Sequence, residues 1–244
     1  MTLSLERPQS LSVKHYHHEH WEARRRILRF LIRTIGTTLL VKMDAIEGIQ
    51  NIPQNGAAIL VINHIASVDP IIVLHAVPRN IIPMAKAEVY HLPVIGLLPK
   101  IWGVIPVHRE EMDRRALQQA LQVLRAGEIL LIAPEGTRSP QMQRGKVGLA
   151  YLASRSGAPV IPVALDGTIG YPAFRFSKRW QGLGAHIRFG RPFRFRADLT
   201  RPNRQQMRLM TDEALYALAA LLPDNRRGVY ADLSQATQET IEWM

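Results

Sequence analysis

Cysteine is absent from this chain of 244 residues. That excludes disulfides, thiolate metal sites and a cysteine nucleophile, and it fits a reducing compartment. Aromatic residues are scarce, at 7%, so aliphatic side chains must do most of the packing. The few aromatics are not interleaved with the basic residues as base-stacking platforms are, and no nucleic-acid partner is expected. Long apolar runs are missing as well. None reaches the roughly eighteen residues that a membrane-crossing helix needs. The nearest candidate, Ile27 to Met43, is interrupted by Arg29, Arg33 and Lys42 and reads as lying on a membrane rather than crossing one. Residues 1–20 lack a basic start followed by an apolar stretch, so no secretory leader is expected.

Two quantities are plentiful. Hydrophobic residues make up 47% of the chain, enough for one sizeable core. The formal net charge is +11, from 31 basic and 20 acidic residues. Such a surplus favours an anionic partner: nucleic acid, anionic lipid or a phosphorylated substrate.

Residues 21–40 read as a helix in which Ile27, Leu28, Phe30, Leu31, Ile32 and Ile35 are mixed with Arg24, Arg25, Arg26, Arg29 and Arg33. That mixture suits an interfacial helix. Each arginine near an anionic bilayer contributes on the order of 1 kcal/mol, and five of them with the apolar face could hold the protein at a bilayer. The alternative is a surface helix packed on its own core. Beyond it, short apolar runs predict strands at 57–62, 81–86, 103–107, 128–133, 160–165 and 185–190, with a weaker one at 41–48. Helical patterns fall at 68–77, 111–126, 145–156 and 203–222. Strands alternating with helices predict an α/β sheet covered on both faces. The proline in VIPVAL, 160–165, predicts an edge strand or a bulge. Residues 223–244 carry no readable pattern.

Four segments stand out, three of them with candidate chemistry. In NHIASVDP, 63–70, His64 follows a strand and Asp69 falls in the first turn of the next helix. Ser67 is the expected N-cap and Pro70 suits the first turn. Across that bend Asp69 can fix the imidazole tautomer, and His64 can take a proton from an attacking hydroxyl. The plainer alternative is a capping aspartate with a histidine bonded to it. In APEGTRSP, 133–140, Glu135, Gly136, Thr137 and Arg138 follow a strongly apolar strand, where open α/β sheets bind ligands. Arg138 offers a planar fork suited to phosphate; the alternative is a solvated turn. In GVIPVHR, 103–109, a further strand delivers Arg109, which can clamp a dianion with Arg138 if both reach the same sheet edge. VIPVAL, 160–165, is the fourth and carries no chemistry of its own. The HYHHEH run, 15–20, could bind a metal but more simply belongs to a polar arm, so no metal site is expected.

In order and spacing, these four segments resemble the blocks of the glycerol-phosphate and lysophosphatidate acyltransferase family, with further likeness in GIQNIP, 48–53, and in Met84 to Glu88. The likeness runs from about residue 44 to about residue 193. It implies a mixed sheet of about seven strands flanked by helices, preceded by an amphipathic, membrane-docking N-terminal helix. It implies direct acyl transfer from acyl-CoA or acyl carrier protein to lysophosphatidate or a related lipid, without an acyl-enzyme and without a cofactor. His64 is then the general base and Asp69 its orienting partner. Arg109 and Arg138 hold the acceptor phosphate, with Lys86 as a third contact, while Glu135, Gly136 and Thr137 shape the acceptor site. A peripheral or monotopic place on an anionic membrane surface, at the cytoplasmic face, follows.

Two departures bear on the acceptor: Ala133 stands where phenylalanine is frequent, and His108 where an acidic or amide residue is. Another acceptor (glycerol 3-phosphate, another lysophospholipid or a lyso-aminolipid) and a non-catalytic, membrane- or nucleic-acid-binding role stay open at this point. The expected division is an arm and docking helix over 1–42, a catalytic domain over 43–222 and a tail over 223–244.

Overall fold

A computed structural model describes residues 19–93, 96–108 and 113–244. Among them nine strands join in one mixed sheet. Strands β1 (Met43–Glu47), β2 (Ala58–Ile62), β3 (Ile81–Lys86), β4 (Ile105–Val107), β5 (Ile129–Ile132), β6 (Val160–Asp166) and β7 (Ala185–Phe189) lie in the order β1-β7-β6-β2-β5-β3-β4. The block from β6 to β4 is parallel, while β7 runs antiparallel to β6. Two short strands, β8 (Phe193–Phe195) and β9 (Ile241–Trp243), extend it.

Every residue of β2 and of β5 is buried, as expected for parallel strands covered on both faces. The two-residue strand period then divides β2 between two cores. Ile59 and Val61 face helices α5 (Arg114–Arg125), α6 (Gly148–Ser156) and α7 (Arg204–Ala219). Ala58, Leu60 and Ile62 face α3 (Asp69–Ala76) and the N-terminal arm. Each fully buried aliphatic side chain contributes roughly 1.5–3 kcal/mol. Helix α5 has Asp113 as its N-cap, whose side chain accepts the amide of Ala116 at 2.9 Å.

Strand β6 is internal to the sheet, so its proline marks the bulge and not the edge: three steps from Val160 to Val163 face four from Phe189 to Phe193. Its Pro162 sits beside the break between β7 and β8, where its carbonyl accepts the Gly190 amide at 2.8 Å. The missing donor therefore faces a gap in the ladder. The tail is ordered: β9 pairs with β8, and the buried Glu213 carboxylate accepts the amides of Glu239 (2.7 Å) and Thr240 (3.0 Å).

The arm departs from an interfacial helix whose arginines all face outward. It comprises α1 (Glu19–Leu31), a wide π-turn (Ile32–Gly36) and α2 (Thr37–Leu40). Arg25, Arg29 and Arg33 point inward and do not face outward with Arg24 and Arg26. Arg25 Nε donates at 2.9 Å to the carbonyl of Trp102, the last residue of α4 (Leu97–Trp102). Arg29 donates to the Pro78 carbonyl at 2.9 Å. Arg33 donates to the carbonyls of His75 (3.1 Å) and Val77 (3.0 Å). These include carbonyls at the C-terminal end of α3, where a helix leaves acceptors unsatisfied and favours cations. The outer face holds Ile27, Phe30, Leu31, Ile35 and Leu39, all exposed. No helix of the described residues is long and apolar enough to cross a membrane.

Candidate active site

The parallel strands bring their carboxyl ends to one edge. Register pairs Val61 with Ile132, so the segments leaving β2 and β5 start side by side. At the end of β2, Asn63 is buried and its amide exchanges two 2.8 Å hydrogen bonds with the backbone of Leu165. The side chain thus continues the ladder toward β6 for one more step. It fixes the point from which His64 departs.

His64 Nδ1 lies 2.9 Å from Asp69 Oδ2. The same oxygen accepts the backbone amides of Ile65 and Ala66, both at 2.8 Å. Three donors on one fully buried carboxylate oxygen hold the bend rigid. A carboxylate facing Nδ1 places the imidazole proton there and leaves Nε2 with a free lone pair. Ser67 does not cap the helix as expected: it is exposed, and Val68 occupies the N-cap without a side-chain bond. Asp69 has replaced it, binding amides of the preceding bend. Pro70 stands in the first turn, as expected.

The loop after β5 lies against this pair. The Ser139 amide donates to the His64 carbonyl at 2.9 Å. Glu135 is buried, and its Oε2 accepts the Gln143 amide at 2.6 Å. Burial pushes its carboxyl up to about 7, against the opposing pull of the Gln143 and His64 backbone amides. Glu135 therefore holds the loop from inside. Gly136 adopts a left-handed backbone (φ 70°), and a Cβ there would stand 3.2 Å from Lys146 Cε. Thr137 and Arg138 are exposed on the same loop.

Next to Gly136 opens a cleft of about 620 Å³. Its walls are mostly apolar, from Met84 and Val107 on the sheet to Leu117, Leu149 and Leu152 on α5 and α6. Lys86, His108 and Lys146 supply polar groups among its lining residues. Lys86 ends β3 and pairs with Glu88 at 2.9 Å. Arg109 lies outside the described residues.

The structure thus brings together His64, Asp69, Glu135 and the backbone of the Arg138 loop, with Gly136 and Lys86 on the neighbouring cleft. Two residues escaped sequence reasoning. Lys146 offered only its place between Gly145 and Gly148, soon after the EGTR segment. Asn63 offered only its place before His64.

A model of the Acyltransferase family matches residues 45–166. A 1-acyl-sn-glycerol-3-phosphate acyltransferase of Borreliella burgdorferi is 31% identical over 131 residues, covering 50% of this chain and 51% of that protein. The chloroplastic enzyme of that name from Arabidopsis thaliana is 32% identical over 130 residues, covering 50% and 36%. The one from Bacillus subtilis is 30% identical over 119 residues, covering 48% and 60%. The matched part of this chain thus spans 36–60% of the length of these relatives. The crystal structure of the 1-acyl-sn-glycerophosphate acyltransferase from Thermotoga maritima superposes with a TM-score of 0.58 at 24% identity, covering 79% of this chain and 78% of that one. At that identity the likeness is one of fold.

Proposed function

The chain belongs to the acyltransferase family, and from that premise we propose that it transfers a fatty acyl group from a thioester to the free hydroxyl of 1-acyl-glycerol 3-phosphate, giving phosphatidic acid. The observation that carries this reading is the 2.9 Å contact between His64 Nδ1 and the buried Asp69 carboxylate. His64 Nε2 removes the acceptor's hydroxyl proton as its oxygen attacks the thioester carbonyl. The tetrahedral intermediate collapses with loss of the C–S bond, and the imidazolium returns its proton to the leaving thiolate. Asp69 stabilises the imidazolium throughout. A positioned base of this kind contributes roughly 10²–10⁴-fold. The thioester is already activated, so juxtaposition of the two reactants is the other main source of rate.

Arg138, Lys86 and Lys146 hold the acceptor phosphate, joined by Arg109. Gly136 and Thr137 shape the acceptor's path, and Glu135 keeps their loop against His64. The apolar cleft takes an acyl chain. The exposed apolar face of the arm rests on the cytoplasmic surface of a membrane, where the acceptor resides. Acyl-CoA and acyl carrier protein are both acidic, and the basic chain suits either donor.

The test is an acyl-transfer assay with lysophosphatidate and each donor, read by product mass. Transfer is expected, and His64→Ala should lower it by about 10²–10⁴-fold. Folded protein that acylates neither a lysophospholipid nor glycerol 3-phosphate overturns the reading. Running glycerol 3-phosphate and lyso-aminolipids in the same assay distinguishes acceptors. Arg138→Ala should impair phosphate-bearing acceptors alone.

A further inference from the structure

The part of the chain matched by the family model ends at residue 166, at the end of β6. The chain then runs through 167–184 before entering the antiparallel neighbour β7. Adjacent antiparallel strands need only about two to five residues to connect, so this connection is far longer than the turn requires. Within it Phe174 is 76% and Phe176 96% exposed, and Leu183, two residues before β7, is 80% exposed. Arg175 and Lys178 are exposed among them.

The connection has an internal frame. The Arg179 guanidinium lies 4.0 Å from the ring centre of the buried Tyr171. It donates to the carbonyls of Ile169 (2.8 Å) and Leu183 (2.6 Å) and to that of Gly167. Trp180 Nε1 donates to the Ala173 carbonyl at 2.7 Å, and the Ser177 amide closes a turn onto Phe174 at 2.8 Å. A frame this well bonded holds two phenyl rings in water. Large apolar side chains exposed two residues apart on such a frame point to a surface with a partner.

The frame is also stitched to the arm. The Ala173 amide donates to the Leu40 carbonyl at 2.9 Å, and Lys42 Nζ to the Gly182 carbonyl at 2.9 Å. Leu39, the neighbour of Leu40, is one of the outward apolar residues of the arm. The connection is therefore tied to the arm at the end of α2.

We propose that the 167–184 connection is a second membrane-inserting element. Phe174, Phe176 and Leu183 enter the interface of an anionic bilayer, and Arg175 and Lys178 meet its headgroup phosphates. The inference rests on the reading that the arm docks on a membrane. A bilayer fits better than a protein partner because the exposed rings of Phe174 and Phe176 are interleaved in sequence with the exposed cations Arg175 and Lys178.

The test uses the full chain and vesicles of phosphatidylcholine with or without phosphatidylglycerol. Phe174→Ala with Phe176→Ala should weaken vesicle binding about tenfold. Arg175→Gln with Lys178→Gln should weaken it about tenfold on anionic vesicles alone. Because the chain has no cysteine, Phe176→Cys gives a unique site for an environment-sensitive fluorophore. Its emission should shift to the blue on adding anionic vesicles, and an unchanged thermal midpoint confirms folding. If vesicle binding survives the double phenylalanine change and the label stays in water, the loop proposal fails while the arm reading stands. If the unaltered chain binds no vesicles, both fail. A label shifted by acyl carrier protein and not by vesicles also overturns the proposal, in favour of a protein partner.

Discussion

The arm over residues 19–40 and helix α5 use the same residue types and arrange them in opposite ways. In α5, Ala116, Ala120, Leu121, Val123 and Leu124 are buried, and Arg114, Arg115 and Arg125 face water. In the arm, Arg25, Arg29 and Arg33 turn to the protein, and five large apolar residues lie 41–64% exposed. The difference comes from what each helix lies on. Helix α5 covers a sheet of aliphatic side chains. The arm crosses the end of α3, where backbone carbonyls need donors. A helix of mixed composition turns whichever face its support can satisfy, and the arm's apolar stripe is left for an apolar phase outside the protein.

The largest separation between the two helices should appear in their response to truncation. Leu124 is 3% exposed, and Leu124→Ala is expected to cost about 2–5 kcal/mol in urea unfolding, through lost burial and the cavity left behind. Vesicle binding by the fraction that remains folded should not change. A loss of vesicle binding in folded Leu124→Ala would erase the distinction between the helices.

Buried charge gives the next contrast. Burial pulls the Arg29 guanidinium in the arm down from its ordinary value. It moves Glu135 the other way, lifting the carboxyl from an ordinary value of 4.5 to about 7. Across that window the unfolded chain has released a proton that the folded chain still holds. Stability from this group is therefore full in acid and declines as pH rises from about 4.5 to about 7, by about 3 kcal/mol at most. Unfolding measured against pH should show that slope, and Glu135→Gln should flatten it. An unchanged slope in the variant would show that Glu135 ionises like a surface carboxyl.

The same contrast marks where sequence was readable. The strand runs were legible because burial on both faces leaves unbroken aliphatic stretches such as ILLI at 129–132. The His64–Asp69 contact was legible because a five-residue bend leaves few ways to separate the two side chains. Arginine orientation in the arm was not legible, because it depends on carbonyls more than forty residues away in the chain. The same holds for β8 and β9: three-residue strands have no periodicity, and their pairing joins residue 193 to residue 243. Lys146 was hidden because its meaning lies in the proximity of Gly136, which only the folded loop supplies.

Arg33→Leu is expected to have a smaller effect, of about 1–2 kcal/mol. The cost is that of leaving the His75 and Val77 carbonyls without their donor. It should appear as faster amide exchange in the arm and at the end of α3. If Arg33 instead served lipid phosphates, stability would hold and only vesicle binding would fall.

The smallest effect on stability should come from the outer face of the arm, and it is the most informative. Ile27 and Phe30 touch water in the free protein, so Ile27→Ser with Phe30→Ser removes little burial. The expected change in unfolding free energy is within about 0.5 kcal/mol. The stripe Ile27, Leu31, Ile35 and Leu39 keeps a spacing of four, which drifts by roughly 40° per step on an α-helix of about 3.6 residues per turn. The wider turn at Ile32–Gly36 offsets part of that drift and keeps Ile35 and Leu39 on the outer face with Ile27 and Leu31. A helix aligned in this way gains nothing in water and gains contact area on a flat apolar phase. The double serine variant should therefore lose vesicle binding by about tenfold or more while melting like the unaltered protein. The reverse result, a lowered melting point with vesicle binding intact, would mean that the stripe packs on protein and that the two helices differ in degree alone.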